Sequence, residues 1–292
     1  MELRHYRYFV AVAEELHFRR AAERLHISQP PLSQQIKQLE AELQVQLLER
    51  TSRRVALTEA GRAFLEEARS VLTAVDRSVA TVRRVAAGEV GWLRLGFVAS
   101  AVADLLPAML ERFRARAPDV QIELREMTTQ VQIDALADGT IDLGIARDIH
   151  GGDDVARTPV RTEALLAALP AGHGLAARGV IHLEELAAEP FIMLPRGRIP
   201  RVHDHVLFLC RAAGFSPRVA QEAVQFPTIL SLVEARIGVA IVPEPVRVFR
   251  TTGVAYVGLH DAGAHSKVEL VTRACEPSPT VARFIAAAGG AP

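Results

Sequence analysis

The stretch "LSQQIKQLEAEL" (residues 32–43) carries Ser33, Gln34, Lys37, Gln38 and Ala41 on one arc when wound at about 100° per residue. Leu32, Ile36, Leu39 and Leu43 lie on the other. A face exposed only to water usually carries Glu/Lys pairs. This one presents amides, a hydroxyl and a single amine. An amide can donate to and accept from adenine at once, while Ser and Lys serve guanine or phosphate. Ser28, Gln29, Pro30 and Pro31 lead into the helix. A residue before proline avoids helical dihedrals. Gln29 and Pro30 are therefore expected to be extended, with Pro31 at the first helical position, where no N–H is needed. Were Ser28 the cap, the donors it normally serves would fall on the two prolines, which have none. Its hydroxyl is thus expected to face solvent or phosphate. Further on, Arg50, Arg53 and Arg54 form a basic tip suited to a DNA backbone or minor groove.

A second set of polar residues stands where strands end. Ser100 closes "WLRLGFVAS" and opens a helix, Thr128 and Thr129 follow "VQIELREM", and Arg147 follows "IDLGIA". Strand-to-helix turns at one edge of a parallel sheet make the default ligand crevice. Free N–H groups there favour an anion, and an arginine can grip a carboxylate with two bonds. The plain alternatives are helix caps for Ser100 and Thr129 and a surface ion pair for Arg147.

The elements that must hold these residues follow from periodicity. Helices are expected at Leu3–Glu15 and at about Phe18–Leu25, with a three-residue turn, His26 to Ser28, before the third helix. That is helix-turn-helix spacing. "VQLLERTSRRVALT" reads as a two-stranded wing with the arginines at its tip. Thr58 then caps a helix to about Ala87. Phe64, Ala68, Val71, Val75, Val82 and Val85 run along it in alternating four- and three-residue steps, broken only by Ser78, a heptad seam whose Phe64, Ala68, Val71, Val75 and Val82 are suited to dimerisation. After "AAGEVG" strands alternate with helices, which implies parallel sheets. The parse is an all-α winged helix-turn-helix over 1–57, a linker helix and hinge over 58–91, and a two-lobe α/β domain over 92–292. Lobe I takes 92–160 and about 266–292; lobe II takes about 161–265.

Bulk numbers exclude several classes. The chain has 292 residues, 49% hydrophobic and 23% charged, with no net charge. The charge is mildly segregated, 14 Lys/Arg against 11 Asp/Glu up to Gly88 and 20 against 23 beyond. Cys210 and Cys275 stand alone, with no CxxC. The ten histidines form no HExxH, and no GxSxG or glycine-rich phosphate loop occurs. No catalytic residue, metal or cofactor is therefore expected, and no enzyme. The first residues lack the apolar stretch of a secretory leader, and no run of 18 apolar residues exists. A cytoplasmic protein that does not meet a membrane is expected.

The run "AAERLHISQPPLSQQIKQLEAELQVQLLERTSRRVALTEAG" (21–61) resembles the N-terminal domain of LysR-type transcriptional regulators, and the likeness continues to the chain's end. The resemblance implies a dimerising linker helix and an effector domain like type 2 periplasmic binding proteins. It implies a tetramer built as a dimer of dimers on double-stranded promoter DNA. RNA polymerase is a candidate partner. Within the family the chain is most like regulators of aromatic-compound degradation that sense muconate-like acids. By that likeness Ser100, Thr129, Arg147, Arg161, Pro200 and Val202 would line an effector pocket between the lobes, for a small organic acid. Val202 replaces the aromatic of the muconate sensors, and "PRGRIPR" (195–201) adds three arginines at the mouth. The competing reading is a solute-binding protein, which leaves residues 1–90 unexplained.

Overall fold

The computed structural model describes residues 1–51, 54–149, 154–249 and 252–289. They form two compact units, Met1–Arg84 and Val85–Pro292.

In the first unit α1 (Leu3–Glu15), α2 (Phe18–Arg24) and α3 (Gln29–Leu43) surround Phe9, Val12, Ala21, Leu32, Ile36 and Leu39. Leu32, Ile36 and Leu39 are completely buried, as the one-sided arc requires. The start of α3 corrects the expectation. Gln29, not Pro31, is its first residue, and the prolines occupy the second and third positions. First-turn N–H groups have no acceptor inside the helix, so two prolines there break no bond. Ser28 is extended (φ −78°, ψ 153°) and its side chain caps nothing, as the missing proline donors dictate.

The wing pairs β1 (Leu48–Arg50) antiparallel with β2 (Val55–Leu57). Thr58 accepts from the Gly61 N–H at 2.8 Å and starts α4 (Glu59–Ala86). Gly61 must lack a side chain, because a Cβ there would lie 2.0 Å from the Leu47 carbonyl oxygen. The seam of α4 divides in two. Phe64 stacks on Tyr6 (5.5 Å) and meets Phe9 edge-on (5.0 Å), and Ala68 is fully buried. These two pack in the unit's own core, Phe64 half-buried. Val71 and Val75 are half-buried and Val82 is 69% exposed.

The second unit opens with β3 (Val90–Phe97), a short 3-10 turn (Ala99–Ala103), α5 (Leu105–Arg116), β4 (Asp119–Glu126), α6 (Thr129–Ala137) and β5 (Leu143–Arg147). β3 lies between β4 and β5, all parallel. β6 (Val155–Pro170) follows, then β7 (Val180–Ile181), a 3-10 turn (Leu183–Leu186), β8 (Pro190–Met193) and α7 (Pro200–Ala212). β9 (Arg218–Glu222), α8 (Phe226–Glu234), β10 (Ala240–Pro243), a 3-10 turn (Glu244–Phe249), β11 (Val254–Leu259), β12 (His265–Arg273) and α9 (Pro279–Ala288) complete it.

Two lobes are present, and one sheet runs through both in the order β4-β3-β5-β12-β6-β11-β7. The 16-residue β6 is the bridge. Its first half pairs with β12 and its second with β10 and β11. It therefore crosses the boundary expected near residue 160. β9, which pairs only with β8, escaped the sequence reading because all five of its residues are exposed and no apolar alternation marks it. Among the described residues no helix is long and apolar enough to cross a membrane.

Candidate nucleic-acid interface and effector cleft

With its leucines buried, α3 turns Gln34, Lys37 and Gln38 to solvent, with Ser33 half-buried at the edge. Ser28, Gln29, Pro30 and Pro31 form an exposed tip at the end of the same surface. The proline pair leaves that tip with few N–H groups, so it can lie against an apolar base edge such as a thymine methyl. Arg54 is exposed on the wing, its N–H held by Thr51 Oγ1 at 3.0 Å. Arg53 lies outside the described residues.

Arg50, exposed beside this surface, is tied down by a carboxylate. Its guanidinium meets Glu40 Oε2 at 2.6 Å and lies 5.0 Å over the Phe18 ring. The other Glu40 oxygen accepts the Leu47 and Leu48 N–H groups, both at 3.0 Å. One carboxylate from α3 thus anchors the base of the wing, and Arg50 neutralises it. Glu40 sits in the "LE" of the motif and was not singled out, because a glutamate on a helix gives no sign of which backbone it will meet.

In the second unit a cavity of about 240 Å³ opens between the lobes. It brings together Ser100, Thr128, Thr129, Arg147 and Val202, but neither Arg161 nor Pro200. Three helices point their N-termini at it. Thr128 precedes α6, Ile199 precedes α7 and Gln225 precedes α8; all three line the cavity and none makes a side-chain cap. Each terminus carries first-turn N–H groups, fewer at α7 and α8, where Pro200 and Pro227 have none, and about half a positive charge. α6 belongs to lobe I, α7 and α8 to lobe II, so positive ends face the cavity from both sides. Pro200, first residue of α7, has no N–H to offer and shapes the turn.

Arg147 departs from its expected role. Its side chain is 4% exposed, and its guanidinium meets Glu163 Oε2 (2.6 Å), Ser266 Oγ (2.8 Å) and Ser100 Oγ (3.0 and 3.2 Å). Protein groups, the Glu163 carboxylate among them, already hold it at the wall of the cavity. It acts on Ser100. With two guanidinium N–H groups on its oxygen, the Ser100 hydroxyl must send its own hydrogen elsewhere, and it lines the cavity. Thr129 is similarly engaged, its hydroxyl donating to the Arg147 carbonyl at 3.0 Å and accepting the Arg147 N–H at 3.1 Å. Thr128 keeps the freer hydroxyl.

Arg161 lines a second, larger cavity of about 750 Å³ with Asp104, Glu163, Arg247 and Tyr256. It grips Asp104 with two nitrogens (2.7 and 2.8 Å) and reaches the other Glu163 oxygen. Its bonds to Asp104 raise its already high pKa. Glu163 and Ser266 were invisible in sequence as site residues. They lie on β6 and β12, and only the pairing of those strands brings them to Arg147.

A helix-turn-helix unit with a wing, followed by a two-lobed receptor whose cleft is faced by three helix N-termini, defines a ligand-responsive DNA-binding protein. Comparison with known proteins makes the class specific. Residues 3–62 match the family described as bacterial regulatory helix-turn-helix protein, lysR family, and residues 86–291 match the LysR substrate binding domain. AlsR of Bacillus subtilis, an HTH-type transcriptional regulator, is 38% identical over 285 residues, 98% of this chain and 94% of its own length. BenM of Acinetobacter baylyi is 39% identical over 281 residues, 95% and 92%. The crystal structure of full-length CbnR complexed with target DNA superposes with a TM-score of 0.83 at 32% identity, covering 99% of this chain and 98% of that one. The BenM effector binding domain with its effector benzoate superposes with a TM-score of 0.63 at 29% identity, over 68% of this chain and 90% of that one. The chain belongs to the LysR family. It is a DNA-binding transcriptional regulator with an effector-binding domain.

Proposed function

We propose that this regulator senses a small organic acid with a carboxylate at each end, a muconate-like acid from the breakdown of an aromatic compound. The observation that carries this is the trio of uncapped helix N-termini facing the cleft from both lobes, with the Ser100 and Thr128 hydroxyls beside them. One carboxylate sits at the α6 terminus and Ser100, the other at α7 and α8. A dianion so placed links the lobes and favours a closed cleft, and that population shift is the signal. Val202 lines the cavity with a smaller side chain than the aromatic of the muconate sensors and leaves more room for the ligand's carbon chain. BenM, whose effector domain binds benzoate, supports the aromatic pathway as the source.

On DNA, α3 reads bases through Ser33, Gln34 and Lys37, the tip from Ser28 to Pro31 meets the groove edge, and Arg53 and Arg54 hold backbone or minor groove. α4 pairs two chains through Val71, Val75 and Val82, and two such pairs form a tetramer on a dyad-symmetric promoter site in the cytoplasm. There it meets RNA polymerase, and it does no chemistry on its effector. Calorimetric titration of the full-length protein with cis,cis-muconate, succinate and benzoate tests the effector. Saturable binding of the dianions and at least tenfold weaker benzoate is expected. Equal affinity for benzoate and muconate refutes a two-ended site.

A further inference from the structure

His5 is completely buried in the DNA-binding unit, and both ring nitrogens are engaged. The Glu2 backbone N–H points at Nδ1 from 3.1 Å, as part of the capping box that starts α1. A nitrogen that receives an N–H is an acceptor, so the ring hydrogen sits on Nε2. Nε2 lies 2.9 Å from Gln35 Oε1. The ring thus determines which end of the Gln35 amide faces inward, something a glutamine in water does not fix by itself.

The order then passes along α3. Gln35 Nε2 donates to Gln38 Oε1 at 3.4 Å, and Gln38 Nε2 donates to Glu42 Oε1 at 3.1 Å. The other Glu42 oxygen holds the Met1 amine at 2.7 Å. Every bond from Glu2 to Glu42 has the same polarity. Gln38 is exposed on the arc of Gln34 and Lys37, and with both ends held it keeps one N–H and one oxygen lone pair to present outward. An amide reads adenine by donating to N7 and accepting from N6–H, so reversing it reverses what it can read.

We propose that His5 is a positioning residue for DNA sequence readout: through Gln35 it fixes the orientation of the Gln38 amide, and so what that amide offers a base edge. This rests on the reading of α3 as the base-contacting helix. It gives a buried histidine, distant from any base, control over specificity.

Gln35→Glu is the discriminating change. A carboxylate still accepts from His5 but has nothing to donate. Gln38 must then turn its Nε2 toward residue 35, which points its oxygen at the Glu42 carboxylate. The full-length protein and its variants are each used to select from a pool of duplex DNA randomised over the half-site. The position read by Gln38 is the one whose preference is lost in Gln38→Ala. Expected in Gln35→Glu is a thermal midpoint near that of the wild type and a loss of preference at that same position of roughly fivefold or more. In the Gln38→Ala background it should cause no further change. Unaltered preference in Gln35→Glu overturns the proposal, as does an equal change with or without Gln38, which would be a general charge effect. A wild-type protein that selects no sequence removes the α3 reading and the proposal with it. Should Gln35→Glu fail to fold, the two-bond ¹H–¹⁵N spectrum of the wild-type imidazoles decides: His5 must be the neutral Nε2–H form, and a hydrogen on Nδ1 overturns the chain of bonds.

Discussion

Arg147 Nη2 and Glu163 Oε2 lie 2.6 Å apart with both side chains 4% exposed. The pair stands directly behind the effector cleft, on β5 and β6. Its worth is largest for Arg147, which without Glu163 would be a charge stranded in the interior, whereas Glu163 keeps Arg161 on its other oxygen. Glu163→Ala is expected to destabilise the second unit by about 3–5 kcal/mol, while Arg147→Met with Glu163→Leu recovers most of that loss. Urea unfolding of the three proteins measures it. A single variant within 1 kcal/mol of wild type would show that water reaches the pair.

Ser100 links that pair to the cleft. Ser100→Ala removes the outward donor and is expected to weaken a dicarboxylate by about 1–1.5 kcal/mol, close to tenfold. Titration of the variant with cis,cis-muconate reads this directly, and an unchanged affinity would clear Ser100 of ligand contact.

Arg54 and Arg50 of the wing are expected to separate by role. Arg54→Ala is expected to weaken all DNA sequences alike and to flatten the dependence of log K on log salt by about one. Arg50→Ala should leave that slope nearly unchanged, because its charge is already met by Glu40, and should lower thermal stability by about 1 kcal/mol. Fluorescence anisotropy across a salt series distinguishes them; equal slopes for both variants would refute the division.

Glu14 ties three helices, receiving Arg69 of α4 at 2.8 Å and Arg24 of α2 at 2.7 Å. The bond from Arg69, then that from Arg24, holds its carboxyl below the usual 4.5. A depressed folded-state pKa means the contribution is complete above about pH 4.5 and is lost as pH falls through the lower folded value. Thermal midpoints taken from pH 6 downward should therefore fall more steeply for wild type than for Glu14→Gln. Parallel curves would deny Glu14 this part.

The two cysteines should differ in reactivity. Cys210 is buried on α7, and burial pushes its thiol up to about 12, whereas Cys275 is exposed. A thiol reagent at pH 8 is expected to label one cysteine per folded chain and both in denaturant. Cys275→Ala should abolish the fast reaction.

Much of the architecture was legible because it is local. The 3.6-residue arc of Leu32, Ile36 and Leu39 fixed which face of α3 is outward. The absent N–H groups of Pro30 and Pro31 explained the idle Ser28 hydroxyl, although the helix begins at Gln29. The turns at Ser100 and at Thr128–Thr129 fell at strand ends, so their convergence on one cleft followed from parallel strand order. Spacing shows that Phe64 and Ala68 of α4 share a stripe but not what covers it; in the fold both pack on their own unit.

What the sequence could not assign were partners distant along the chain. Arg147 in isolation is a free cation at a ligand crevice. In the fold its partners are Ser100, on the turn after β3, and Glu163 and Ser266, brought up by β6 and β12; the last stands 119 residues away. Arg161, nearby in sequence, was grouped with it, yet Asp104 draws it to another cavity. Arg50 shows the same in miniature, held by a glutamate ten residues back. Backbone periodicity is set by neighbours within a few residues, so the chain declares it. Where a long charged side chain ends is set by which opposite charge the tertiary structure places within 3 Å, and only the assembled sheet decides that.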